Sequence, residues 1–234
     1  MKGESLKKEI NKYFDHTLLR ADATEKEIEI LCNQAIKSNY AAVCVNPIYV
    51  EQAKEILENS DINIATVVGF PLGANLTETK VYEASLAASF GANEIDMVIN
   101  IGALKMEDSE LVYDDIMSVA KAADLHGAIV KVIIETSLLT DEEKVLACHL
   151  AEMAGVGYVK TSTGFSKYGA TVEDVKILRE ALSDNVKIKA AGGIKDLKTV
   201  LELIEAGADR IGTSSAEAIM EEYNKKKENN KVDN

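Results

Sequence analysis

Eight short aliphatic runs alternate with eight longer stretches of helical period along this 234-residue chain, and that alternation constrains the fold more than any other feature. The runs read as strands are Tyr13–Thr17, Ala41–Val45, Asn63–Val68, Glu94–Ile99, Ile129–Glu135, Gly157–Thr161, Val186–Ala190 and Arg210–Gly212. Between and after them the helical stretches are Thr24–Ser38, Pro47–Asn59, Thr77–Phe90, Ser109–Leu125, Asp141–Ala154, Val172–Leu182, Asp196–Ala206 and Ser215 to about Lys226. Strands followed by helices in strict alternation predict a parallel sheet. Eight such units in about this length predict an α/β TIM (β/α)8 barrel.

The punctuation agrees. Thr24 with Glu27, Thr140 with Glu143 and Ser214 with Glu217 have the spacing of a capping box. Gly91, Gly127, Gly155 and Gly207 each stand between a helix and the next strand, where a left-handed residue ends a helix. The phrases Gly91-Ala92-Asn93-Glu94-Ile95 and Gly207-Ala208-Asp209-Arg210-Ile211 repeat one helix-to-strand transition, which favours one continuous architecture. A single barrel domain over 1–234 is therefore expected, preceded by a short extra N-terminal helix around Ser5–Lys12, with a disordered tail over about 227–234. A doubly wound open sheet is the alternative, but Thr17-Leu18-Leu19-Arg20-Ala21-Asp22 after the first run lacks the Gly-rich turn such a sheet shows there.

A formal net charge of −13 excludes nucleic acid and anionic membrane as general partners, since both are bound through basic surface. An anionic small molecule stays possible if local donors hold it. No apolar run is long enough to cross a bilayer, and the first residues have no secretory pattern, so a cytoplasmic protein is expected. Three cysteines, Cys32, Cys44 and Cys148, fit a reducing compartment. His16, His126 and His149 are scattered, and no metal is expected.

In a barrel strand alternate side chains point inward, so each polar residue can be assigned a face by counting in twos. This count puts Asp96 inside with Glu94; Lys131 inside with Ile133 and Glu135; Lys160 with Tyr158; Lys189 with Lys187; and Asp15 with Thr17, leaving His16 outside. Buried ammonium groups cost several kcal/mol unless compensated. Asp96, Lys131, Lys160 and Lys189 aimed at one axis need a use or a mutual pairing, and a purely structural network is the bland reading of them; Lys187 begins its strand and is expected at the far end of the barrel, in water.

The sharper reading is covalent chemistry. Lowering a lysine pKa from ~10.4 to near neutrality takes about 4 kcal/mol of selective destabilisation of the ammonium. A second ammonium close by, in a partly dry site, supplies it, and the free amine can then attack a carbonyl to form a Schiff base. A carboxylate such as Asp96 can move the protons. The loops Ala191-Gly192-Gly193-Ile194-Lys195 and Gly212-Thr213-Ser214-Ser215 follow the seventh and eighth runs, the usual barrel position for binding phosphate through backbone N–H groups. Cys44 has no base evident in the sequence and reads as a pocket or core residue.

These residues fall in segments that resemble the 2-deoxyribose-5-phosphate aldolase family: Asp15-His16-Thr17-Leu18-Leu19, Val43-Cys44-Val45-Asn46-Pro47, Val68-Gly69-Phe70-Pro71-Leu72-Gly73, Glu94-Ile95-Asp96-Met97-Val98, Lys131-Val132-Ile133-Ile134-Glu135-Thr136, Lys160-Thr161-Ser162-Thr163-Gly164-Phe165, Lys189-Ala190-Ala191-Gly192-Gly193-Ile194 and Arg210-Ile211-Gly212-Thr213-Ser214-Ser215. The resemblance implies a cofactor-free class I aldolase that cleaves 2-deoxy-D-ribose 5-phosphate to glyceraldehyde 3-phosphate and acetaldehyde. It implies that Lys160 is the Schiff-base lysine, Lys189 its perturbing neighbour and Asp96 the proton-relay acid. By the same resemblance Gly164, Gly192, Gly193, Gly212, Ser214 and Ser215 bind phosphate, Thr17, Cys44, Lys131 and Thr163 line the pocket, and the chain forms a homodimer. The terminal tyrosine of some members has no counterpart among Lys231-Val232-Asp233-Asn234. Another Schiff-base barrel of the transaldolase kind, or a non-catalytic sugar-phosphate-binding barrel, remain alternatives.

Overall fold

The computed structural model describes residues 6–232. Eight strands, β1 (Phe14–Leu18), β2 (Ala42–Val45), β3 (Asn63–Val68), β4 (Glu94–Val98), β5 (Ile129–Ile133), β6 (Tyr158–Lys160), β7 (Lys187–Ala191) and β8 (Arg210–Thr213), form a closed barrel in chain order. All neighbours are parallel, and β1 pairs with β8 to complete the ring. The structure is thus a TIM barrel. Each of the eight aliphatic runs forms one strand, with ends moved by a residue or two.

The helices are α1 (Glu25–Ser38), α2 (Val50–Leu57), α3 (Thr77–Ser89), α4 (Ile101–Lys105), α5 (Ser109–Asp124), α6 (Asp141–Met153), α7 (Val172–Ala181), α8 (Leu197–Glu205) and α9 (Ala216–Val232). They cover the outward faces of the strands, and the main apolar core lies in the layer between, where Val43, Ile95, Met97, Val132, Val159, Ile188 and Ile211 meet buried helix residues such as Ile28, Ile116 and Leu178. Capping boxes open α1 at Thr24 and α6 at Thr140. Gly91 and Gly207, the glycines of the repeated phrase, have φ of 117° and 118°, a region closed to ordinary L residues.

Four expectations change. The N-terminal helix is a single 3-10 turn, Ile10–Tyr13, and Leu6–Glu9 are not helical; Ser5 lies outside the described residues. Ile10 and Tyr13, three residues apart, lie on one side of that turn and both bury in the main apolar core. Helix α4 is additional: Asn100 caps it through an Oδ1 that accepts from the Ala103 N–H at 3.0 Å. Glu217 does not close a box with Ser214, because its carboxylate accepts from Ser38 Oγ at 3.0 Å and from Tyr40 OH. The tail expected to be disordered over about 227–234 is instead helical to Val232, as α9 continues six residues beyond Lys226, with Lys225–Glu221 and Lys226–Glu222 pairs one turn apart along it; 233–234 lie outside the described residues.

One ion pair outside the barrel bears on the inside. Lys80 of α3 donates to Asp115 Oδ2 of α5 at 2.6 Å and to the Val98 carbonyl at 3.0 Å. Burial lowers the Lys80 pKa while Asp115 opposes the shift. The pair fixes the upper end of β4, two residues beyond Asp96.

Candidate active site

The inward count holds for Asp15, Glu94, Asp96, Lys131, Lys160 and Lys189 and fails at Glu135. Asp15, Glu94, Asp96, Lys131, Lys160, Lys189 and Arg210 are all buried inside the barrel. His16 points outward and its Nε2 meets Gln34 Oε1 at 2.9 Å. Lys187 is exposed at the lower end of β7.

The interior charges form two levels. On the lower level Arg210 donates through Nε to Asp15 Oδ1 at 2.6 Å and through Nη1 and Nη2 to Glu94 at 3.2 and 3.1 Å. Lys131 Nζ lies 2.9 Å from Asp15 Oδ2 and also contacts Glu94. On the upper level Lys160 and Lys189 both donate to Asp96 Oδ2, at 2.8 and 2.7 Å. The two nitrogens therefore lie no further apart than the sum of those distances. Lys160 and Lys189 are register partners on neighbouring strands, which puts both amines at one height.

The two lysines are wired differently. Lys189 has a second carboxylate, Asp15 Oδ2, at 2.5 Å, and does not reach the cleft above. Lys160 contacts Asp96 alone and lines the cleft. Burial pulls the Lys160 pKa down, Asp96 opposes this, and Lys189 adds to the lowering, so the net direction is down. Burial acts on Lys189 in the same sense, but Asp15 and Asp96 together outweigh it and Lys189 is raised. Asp96 would be raised by burial, yet Lys131, Lys160 and Lys189 hold it well below the usual carboxylate range. The interior holds three carboxylates against four cations, an excess of one positive charge in a medium that disfavours net charge. Loss of one proton balances it, and the group most readily deprotonated is Lys160.

The cleft occupies about 320 Å³ at the C-terminal end of the strands, the functional end of such barrels. Thr17, Lys160, Thr163, Gly164, Gly192, Gly193, Gly212 and Ser214 line it. A Cβ on Gly192, whose φ is 90°, would stand 3.0 Å from the Gly169 Cα and 3.3 Å from the Gly164 Cα. Only glycine lets these three backbones approach and form one wall. A Cβ on Gly212 would sit 3.0 Å from Lys189 Cε, so this glycine also makes room for the lysine stem. Among the described residues no group of three or more His, Cys, Asp or Glu side chains is arranged to hold a metal ion.

Residues 10–222 match the model of the DeoC/LacD family aldolase. The chain is 54% identical over 211 residues to a deoxyribose-phosphate aldolase of Natranaerobius thermophilus, covering 90% of this chain and 96% of that one. Identity to a deoxyribose-phosphate aldolase of Thermococcus kodakarensis is 55% over 217 residues, 92% of this chain and 97% of the relative. The chain belongs to the DeoC/LacD aldolase family. Among solved structures, a putative deoxyribose-phosphate aldolase from Coccidioides immitis superimposes with a TM-score of 0.89 at 39% identity, covering 92% of this chain and 85% of that one. A deoxyribose phosphate aldolase from Aeropyrum pernix, described as having a unique tetrameric structure, gives 0.86 at 32% identity, covering 92% and 91%.

In this DeoC/LacD aldolase three residues assigned to the pocket from sequence lie away from the cleft. Lys131 is fully buried below it, and its raised pKa reflects Asp15, Asp96 and Glu94 overcoming the opposing effect of burial. Cys44 packs in an inner apolar cluster with Leu19, Ala65 and Val67. The Ser215 N–H is taken by Thr213 Oγ1 at 2.9 Å. Asp15, Glu94 and Arg210 carry no motif that marks them as site residues, although the period of two puts Asp15 and Glu94 inside. Glu135 was missed differently. β5 stops at Ile133, and Glu135 takes a left-handed conformation with φ 56° that removes it from the strand alternation. Its Oε2 accepts from Thr163 Oγ1 at 2.5 Å and from the Thr163 N–H at 3.1 Å, so it braces the cleft loop instead of facing the axis. Arg20 and Lys195 also line the cleft, and only the loop containing Lys195 had been singled out.

Proposed function

We propose that this aldolase reversibly cleaves 2-deoxy-D-ribose 5-phosphate to D-glyceraldehyde 3-phosphate and acetaldehyde through a Schiff base on Lys160. The observation that carries the reading is the unequal wiring of the two lysines: one amine with a single carboxylate, open to the cleft, beside another held charged by two. The relatives' names supply the substrate. In this reading the neutral Lys160 attacks C1 of the open-chain sugar, and Asp96 with Lys189 passes the protons that convert the carbinolamine to an iminium. The iminium restores the positive charge that Lys160 gave up, next to the same Asp96 oxygen. It then accepts the electron pair of the breaking C2–C3 bond as the C3 hydroxyl loses its proton, which releases glyceraldehyde 3-phosphate and leaves an enamine. Protonation at C2 and attack of water free acetaldehyde and the amine. Gly164, Gly192, Gly193, Gly212 and Ser214 hold the phosphate at the opposite end of the cleft, with Thr17 and Thr163 along its sides.

Borohydride reduction with substrate should add an acetaldehyde-derived ethyl group to Lys160, located by peptide mass spectrometry. Cleavage activity with Lys160 unmodified, or cleavage by Lys160→Met, would refute the mechanism, and a different sugar phosphate turned over in preference would point to a transaldolase-like enzyme. The reading takes the whole chain as one catalytic unit working in the cytoplasm. Among the described residues no helix is long and apolar enough to cross a membrane. It also takes the molecule as an oligomer, for which the tetramer described for the Aeropyrum pernix enzyme is the support, and as a homodimer by the family resemblance alone. Light scattering should give about twice the 25.4 kDa chain mass; a single-chain or fourfold mass would overturn it.

A further inference from the structure

Glu135 is a buried carboxylate that, among the described residues, makes no ion pair. The other buried carboxylates, Asp15, Glu94, Asp96, Asp115 and Asp174, each face a lysine. An unpaired buried charge is costly unless hydrogen bonds compensate it. Here neutral donors do so: Thr163 gives Oε2 both its N–H and its hydroxyl, and Ser137 Oγ lies 3.3 Å from Oε1 and 2.9 Å from Ser166 Oγ. The backbone is unusual as well. Asn39 and Glu107 share the left-handed region with Glu135, but they follow α1 and α4, where such a residue ends a helix. Glu135 stands instead between β5 and a 3-10 turn, Thr136–Leu138, so its strained conformation is imposed by its surroundings.

Its two neighbours show what imposes it. The Ile134 N–H donates to the Lys160 carbonyl at 3.1 Å and the Thr136 N–H to the Thr161 carbonyl at 2.9 Å. These backbone bonds hold the end of β6 that carries Lys160, and the side chain between them acts one step further along, at Thr163. With the Thr163 N–H on Glu135 and the Phe165 N–H on Thr163 Oγ1 at 3.1 Å, the backbone donor between them is that of Gly164. Among the described residues no acceptor meets the Gly164 N–H, and Gly164 lines the cleft beside Gly192 and Gly193. A free N–H among glycines, where the backbone can be approached closely, suits an anionic oxygen.

We propose that Glu135 is a positioning residue for the phosphate end of the cleft: by taking both Thr163 donors it fixes the turn in which the Gly164 N–H stays available to the substrate's phosphate, while the backbone bonds of Ile134 and Thr136 set Lys160 independently. The proposal rests on the placement of the phosphate in the reading above. Its consequence is a division of labour within three consecutive residues. The side chain of Glu135 governs affinity for the phosphorylated end, and the amides on either side of it govern the reactive end.

The test is cleavage of 2-deoxyribose 5-phosphate and of unphosphorylated 2-deoxyribose by the wild type, Glu135→Gly and Glu135→Gln. Glycine accepts φ 56° without strain, so Glu135→Gly removes the carboxylate while easing the backbone. It should raise KM for the phosphorylated sugar about tenfold and lower the ratio of kcat/KM for the phosphorylated to the unphosphorylated sugar by the same factor, with the acidic limb of the pH profile unmoved. Glu135→Gln keeps an acceptor oxygen and should fall in between. A carboxylate that only supports the fold would give equal losses on both sugars; that result, or an unchanged ratio in folded Glu135→Gly, would overturn the proposal. Should Glu135→Gly not fold, Glu135→Gln decides: an unchanged ratio overturns the proposal and a several-fold fall supports it. Equal cleavage of the two sugars by the wild type would refute the phosphate placement and this proposal with it, whereas a wild-type preference kept in full by both variants would refute the role of Glu135 alone.

Discussion

Replacing Lys189 by leucine tests the site through one electrostatic term. Its ammonium shares Asp96 Oδ2 with Lys160, so the two charges lie within the sum of 2.8 and 2.7 Å. For a separation of ~5 Å and an effective dielectric of ~20, the repulsion is about 3 kcal/mol, equivalent to roughly two pH units on the Lys160 amine. Removing Lys189 also leaves Asp96 with one fewer competitor for its charge, which strengthens its hold on the Lys160 ammonium. Both effects raise the Lys160 pKa. Since the reactive form is the neutral amine, the acidic limb of the kcat/KM profile should move up by about two pH units, and cleavage at pH 7 should fall about 100-fold. The loss should shrink as the pH rises towards the variant's own amine pKa. Initial rates from pH 5.5 to 10, with borohydride trapping at the same pH values, measure the shift directly. An acidic limb unmoved from wild type, with trapping equal at every pH, would show that Lys189 does not control the charge on Lys160.

Gly192→Ala should weaken binding of phosphorylated substrate by at least tenfold while leaving acetaldehyde trapping on Lys160 intact. Its Cβ would strain a residue at φ 90° and push on Gly169 and Gly164; KM measured against trapping yield separates the effects, and an unchanged KM would remove the glycine wall from the phosphate site. The Asp15 and Asp96 pKa values lie below those of the unfolded chain, because neighbouring cations outweigh burial. Their contribution to stability is therefore fully present above about pH 4 and is lost as the pH falls towards their folded values. Melting temperatures should fall progressively below about pH 4, and equal melting at pH 4 and pH 2 would contradict the sign. Asp15→Asn leaves Arg210, Lys131 and Lys189 short of a charge and should destabilise the fold by about 3–5 kcal/mol at pH 7 in denaturant unfolding; a loss below ~1 kcal/mol would mean that the lower level rearranges without it.

Much of this was legible from periodicity. Counting in twos places Asp96, Lys131, Lys160 and Lys189 inside because each lies within or at the end of a regular strand whose other face is aliphatic. Counting fails where regularity does, as at Glu135, whose left-handed turn carries its carboxylate under the cleft loop. It also has nothing to say of α4, whose five residues are too few to show a period. The Ser214–Glu217 spacing fits a capping box that does not form, because a local motif cannot reveal that Tyr40 and Ser38, far away in sequence, compete for the same carboxylate. Arg210 was read only as the start of a strand. Its partners are 195 and 116 residues distant, and such pairs follow from the register around the ring, not from spacing along the chain.

The distinction between the two lysines shows why register matters to the chemistry. Both end inward-facing alternations on adjacent strands, and nothing in their local sequence says which stays charged. What separates them is Asp15, on β1, which reaches Lys189 on β7 because β8 pairs with both β7 and β1. In an open sheet with the same strand order, β1 and β8 would be opposite edges, Asp15 would be remote from both lysines, and two equivalent amines would share Asp96. Closing the barrel brings the first strand's carboxylate to the seventh strand's lysine and leaves the sixth strand's lysine with the weaker claim on a proton. In this fold, closure does more than satisfy the edge strands: it makes the lysine pair asymmetric, and an asymmetric pair can keep one amine neutral beside one ammonium.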